Sequence, residues 1–118
     1  MAIHPIDYRY GSREMKAVFE ENSKLQRLLD VEAALARAHA GVGNIPKEDA
    51  EVISEKASTE HVTVERVKEI EGEVKHDIMA VVLALSEACG DAERYVHLGA
   101  TSYDIVDTAN ALQFKDAL

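Results

Sequence analysis

The sequence predicts an all-α fold, and three observations carry the prediction. Ala, Glu, Leu and Val are abundant, while there are only six Gly and two Pro, and aromatic residues make up 5% with no Trp. That balance favours helices over strands. Apolar residues recur at helical spacing in several separate stretches. Between those stretches stand the residues that stop and start helices, such as Gly41, Gly43, Asn44 and Pro46. With 118 residues the chain reads as one domain, residues 1–118, with a single core.

The elements follow in order. Residues 1–11 show no helical period but carry Ile3, Pro5, Ile6, Tyr8 and Tyr10, so they read as an extended arm ending in Arg9-Tyr10-Gly11. Arg9 has the planar fork for an anion, with Tyr10 packing beside it; a plain surface Arg and a packing Tyr is the alternative. Ser12 can cap a short helix through about Glu20. Ser23 and Gln26 have the spacing of a capping box for a longer helix that runs to Gly41. Leu25, Leu28, Leu29, Leu35 and Ala36 mark its apolar face, and Glu32 and His39 fall on the same face. A carboxylate there needs a partner or a raised pKa, and either pairs within a bundle or supports a site from behind.

Pro46 suits the first position of the next helix, Lys47 to Ala57. Glu48 and Asp49 fall in its first turn, and its weak stripe of Ala50, Ile53 and Ala57 suggests a surface helix. Residues 59–63 connect to a helix capped by Thr63 and marked by Val64, Val67 and Ile70. Gly72 interrupts the charged run that follows, and a break there places Lys75-His76-Asp77 at the head of a helix from about Val74 to Cys89. That helix is apolar nearly all round, which implies burial on several sides. His76 beside a carboxylate suits a donor to an anionic ligand; a capping triplet is the alternative. Gly90 ends the helix, and Asp91 to Arg94 forms a polar loop.

The stretch from Tyr95 to Thr108 concentrates small, polar and titratable groups around a helix start near Tyr103. Thr101 and Asp104 have capping-box spacing, with Asp replacing the usual Glu. Gly99 permits a backbone conformation that a β-carbon resists. A helix N-terminus with free N–H groups and the hydroxyls of Thr101 and Ser102 is a natural seat for a carboxylate or phosphate, or simply a well-capped helix. The last helix, marked by Ile105, Ala109 and Leu112, reaches Leu118 without a stop signal. That pattern leads us to expect a piece of a longer chain.

The formal net charge of −9 argues against a nucleic-acid or anionic-membrane partner, while leaving room for a small anion. No apolar run is long enough to span a bilayer, and no signal segment opens the chain. The single Cys89 cannot form an internal disulfide, so a reducing, cytoplasmic setting is expected. There is no phosphate-loop glycine motif, and the five His, at 4, 39, 61, 76 and 97, show no metal-ligand spacing.

Taken in order, several motifs resemble the N-terminal domain of the adenylosuccinate lyases, within the fumarase/aspartase superfamily. They are Arg9-Tyr10-Gly11-Ser12-Arg13-Glu14-Met15, Val31-Glu32-Ala33, Ile45-Pro46-Lys47-Glu48-Asp49, Lys75-His76-Asp77-Ile78-Met79-Ala80-Val81, Val96-His97-Leu98-Gly99-Ala100-Thr101-Ser102-Tyr103-Asp104 and Val106-Asp107-Thr108-Ala109. The resemblance implies a helical domain truncated at the start of the family's central helix bundle. It also implies a C–N lyase that releases fumarate from adenylosuccinate, giving AMP, and from the succinyl carboxamide ribotide of purine synthesis. Arg9 and Tyr10 would meet the nucleotide, with Arg9 on its phosphate. Lys75, His76 and Asp77 would line the pocket, with His76 donating to the ligand. Thr101 and Ser102 would bind the succinyl carboxylates, and His97 would shape or assist the site.

No metal or other cofactor is implied. The family's proton-transfer residues, a His in a Thr-His motif and a Ser in a Ser-Ser-x-Met-Pro loop, have no counterpart in this sequence. Family members are tetramers that build each site from three subunits, so the 118 residues alone are expected to be inactive. Cycloisomerases acting on carboxymuconate have a similar Gly-Ala-Thr-Ser stretch and are the nearest rival. A non-catalytic helical interaction module is the alternative from another class.

Overall fold

The computed structural model describes residues 11–118, so the arm with Arg9 and Tyr10 lies outside the described residues. Six α-helices and one 3-10 segment follow in chain order, with no strand among the described residues. Helix α1, Arg13–Phe19, starts where the Ser12 hydroxyl accepts from Met15 N–H at 3.1 Å. Glu20 turns extended for one residue, and α2 then runs over Glu21–Gly41. Ser23 and Gln26 therefore lie inside α2 and do not cap it. Their side chains have other partners that hold neighbouring segments. Ser23 donates to the Ala17 carbonyl and closes the corner between α1 and α2. Gln26 donates to the Ala57 carbonyl (3.2 Å) and accepts from Thr59 N–H (3.0 Å).

The long helix α2 is the spine of the molecule. Leu25, Leu28, Leu29, Ala33 and Ala36 are buried along it, and it packs on every other helix. Helix α3, Lys47–Lys56, has Pro46 as its cap residue, one position earlier than its sequence suggests, and buries Ala50 and Ile53 against α2. Thr63 caps α4, Val64–Val74, by accepting from Arg66 N–H.

Gly72 does not break α4. One glycine within a helix costs about 1 kcal/mol but leaves the backbone ladder intact. The break comes at Lys75, which is left-handed (φ 55°) and closes α4 through its N–H to the Glu71 carbonyl. That turn lets His76 extend and head α5, Asp77–Cys89. Helix α5 buries Ile78, Ala80, Val81, Ala84, Leu85 and Cys89, but Met79 and Leu83 are exposed. Burial in this chain is thus one-sided where the apolar pattern suggests several sides. Arg66 ties α4 to α5 with two bonds to Glu87, at 3.0 and 2.6 Å.

Residues Gly90–Tyr95 form the 3-10 segment where a polar loop was expected. Buried Ala92 holds it against the core, and it packs on α3 and α5. Helix α6, Ser102–Ala117, buries Ile105, Ala109 and Gln113. The Gln113 amide is satisfied by donating to the Val18 carbonyl of α1 (3.1 Å), and Arg27 of α2 grips Asp116 through Nε (3.0 Å). The Cys89 thiol is buried, and burial pushes its pKa up to about 11, so it is a packing group rather than a nucleophile. No described helix is long and apolar enough to cross a membrane.

Candidate functional site

The heads of α5 and α6 meet at a small pocket of about 230 Å³. It is lined by His76, Ile78, Met79, Val82, His97, Ala100, Thr101 and Ser102. Four of the expected site residues, from stretches 20 residues and more apart, are thereby brought together. His76 caps α5 with its ring: Nδ1 accepts from Met79 N–H at 3.1 Å. An accepting Nδ1 is bare, so the ring proton sits on Nε2 as a donor. At the other wall, the Asp104 carboxylate accepts from Thr101 N–H at 3.0 Å and fixes the start of α6. Thr101 and Ser102, at the N-terminal end of α6, line the same space.

His97 completes the lining from an unusual backbone. It is left-handed (φ 62°), as is Gly99 (φ 74°), and a non-glycine residue reaches that region only with about 1–2 kcal/mol of strain. Helix α2 holds this loop at two points. Glu32 Oε2 lies 2.7 Å from His97 Nδ1, with the carboxylate almost fully buried. Two turns further on, His39 Nε2–H donates to the Leu98 carbonyl at 2.8 Å, and its Nδ1 accepts from the Asn44 amide at 3.0 Å. A carbonyl can only accept, so His39 carries a proton on Nε2. The sequence shows Glu32 and His39 as polar interruptions of an apolar stripe. Their common target, the loop at 97–99, becomes visible only in three dimensions.

The triplet at 75–77 is divided. His76 lines the pocket, whereas Lys75 forms the turn that closes α4. Asp77 accepts from its neighbour Ile78 N–H (2.8 Å) and faces a different groove, shared with Glu21, Lys24 and Lys68. Among the described residues no group of three His, Cys, Asp or Glu is arranged to hold a metal ion. The pocket's chemistry is that of a donor-lined seat for a small anion. Its volume falls below the roughly 300–1,000 Å³ of complete ligand sites.

A family model described as "Lyase" matches residues 8–118, nearly the whole chain and all of the pocket. The chain belongs to the lyase family. It is 71% identical over 118 residues to the adenylosuccinate lyase of Pyrococcus abyssi and 70% identical to that of Pyrococcus horikoshii. Both alignments cover 100% of this chain and 26% of the relative, so the chain spans about a quarter of the length of these curated relatives. Among solved structures, it is similar to the 3-carboxy-cis,cis-muconate lactonizing enzyme from Pseudomonas putida. There the TM-score is 0.86 at 34% identity, covering 95% of this chain and 26% of that one. The all-α architecture and the lyase resemblance of the sequence thus both stand, and the family's helical N-terminal domain is the fold that positions the pocket.

Proposed function

We propose that residues 1–118 are the substrate-gripping helical domain of a longer adenylosuccinate lyase, which releases fumarate from adenylosuccinate and from the succinyl carboxamide ribotide. The observation that carries this reading is the convergence of His76, His97, Thr101 and Ser102 on one pocket. The high identity to adenylosuccinate lyases favours that substrate over carboxymuconate.

Eliminating fumarate across a C–N bond removes a carbon-bound proton next to a carboxylate. Negative charge then spreads onto that carboxylate before the nitrogen leaves. Donors aimed at its oxygens lower the barrier, because they gain most when the charge has developed. Ser102 and Thr101 hydroxyls supply two such donors, and His76 Nε2–H supplies a third. Arg9 and Tyr10 are assigned to the nucleotide, with Arg9 on the phosphate. Lys75 forms the turn that presents His76 at the pocket, and Asp77 accepts from Ile78 N–H beside it. The proton-transfer His and Ser come from outside these residues, and the complete sites form in a homotetramer in the cytoplasm, with no metal or other cofactor.

The test is fumarate release from adenylosuccinate by a family-length polypeptide carrying this domain. Turnover of carboxymuconate instead would reassign it to the cycloisomerases. The 118 residues by themselves are expected to bind substrate weakly and turn none over.

A further inference from the structure

Glu32 is an expensive residue to keep on the apolar face of α2. Its side chain is 1% exposed, and Oε1 has no hydrogen-bond partner among the described residues. An aliphatic residue would suit the stripe better, since a half-satisfied buried carboxyl is destabilising. Among the described residues its one hydrogen-bond contact is Oε2 to His97 Nδ1 at 2.7 Å.

We propose that Glu32 is a positioning residue for the elimination: by engaging His97 Nδ1 it fixes the strained ring and leaves Nε2 as the ring nitrogen offered to the substrate. The inference rests on the lyase reading for its kinetic consequence and on the pair's geometry for the orientation of the ring. When the pair is neutral overall, one proton lies between Oε2 and Nδ1. Either the carboxylate accepts from an imidazolium, or the carboxylic acid donates to a neutral imidazole. In both cases Nε2 carries a hydrogen and is a donor. Burial pushes the Glu32 carboxyl up, against the opposing pull of His97. The other histidines nearby have Nδ1 engaged away from Glu32. His39 is held by Leu98 and Asn44, and His76 Nδ1 by the Met79 amide.

A double-mutant cycle in the family-length enzyme tests the role. Glu32→Met keeps the volume and removes the bond; His97→Asn removes the ring. Each should lower kcat/KM about tenfold or more, and the double variant should fall within about threefold of His97→Asn alone. Glu32→Gln, which can still bond Nδ1, should recover part of the Glu32→Met loss; it also carries the cycle if Glu32→Met does not fold. A purely structural Glu32 would give losses that multiply, or a folded Glu32→Met with unchanged kcat/KM, and either result overturns the proposal. Proton NMR of the 118-residue chain gives an independent reading. A far-downfield proton shared between Glu32 Oε2 and His97 Nδ1 should be present in the wild type and absent in Glu32→Met; its absence from the wild type refutes the pairing. If the wild-type enzyme releases no fumarate, the lyase reading fails, while this resonance still decides the pairing.

Discussion

The two halves of α2 contribute in different ways. Its first half presents Leu25, Leu28 and Leu29, all buried, to the core. Its second half presents Glu32 and His39 to the loop that ends in the pocket. Apolar burial is strong but has no direction, so the leucines hold helices together without specifying how any side chain is aimed. Hydrogen bonds contribute less net stability but fix orientation, and here they set a strained histidine and the carbonyl beside it. One rigid helix therefore carries both the fold and the aim of the site.

Substitutions in each half can break this contrast. The largest effect is expected at Leu29, which is fully buried. Leu29→Ala should cost about 2–5 kcal/mol in denaturant unfolding, and should leave the downfield Glu32–His97 proton in place in the molecules that stay folded. His39→Ala removes two directed bonds, to the Leu98 carbonyl and from the Asn44 amide, and should cost about 1–3 kcal/mol. Its signature is local: amide exchange at 97–100 should speed up while the α2 core stays protected. Gly99→Ala has room, since an added β-carbon would meet only His39 Nε2 at 3.9 Å, but the positive φ should still cost about 1 kcal/mol.

The smallest effect is a difference in pH dependence. Glu32 has a folded pKa above its ordinary 4.5, so the folded state holds its proton more tightly than the unfolded state does. Its contribution is fully present below the unfolded pKa and is lost as pH rises through the folded one. Glu32→Gln should therefore gain stability relative to wild type as pH rises above about 4.5, read as a diverging pair of urea midpoints.

Much of this was legible in the sequence, for physical reasons. Ser12, Thr63 and the Thr101/Asp104 pair are local signals, and each starts its helix where the spacing says. The Leu25-Leu28-Leu29 stripe is a periodic signal and is buried as read. What failed depended on distant partners. Ser23 and Gln26 look like a cap because the sequence does not reveal that Ala17 and Ala57 lie within reach. Gly72 looks like a break because glycine is a poor helix former, but the left-handed turn that ends α4 falls at Lys75. The site was half legible: His76, His97, Thr101 and Ser102 meet as expected. Asp77, by contrast, turns to another groove, since adjacent residues at a helix head point to different sides. The grip of Glu32 and His39 on one loop spans 65 and 59 residues, beyond any local pattern.

The central claim is that the head of α6 holds a substrate carboxylate during the elimination. Fumarate release from adenylosuccinate by the family-length enzyme bearing Ser102→Ala measures it directly. Losing one donor to a charged group should cost about 1.5–3 kcal/mol, which lowers kcat/KM roughly 10- to 150-fold. An unchanged kcat/KM in a correctly folded variant would contradict the account.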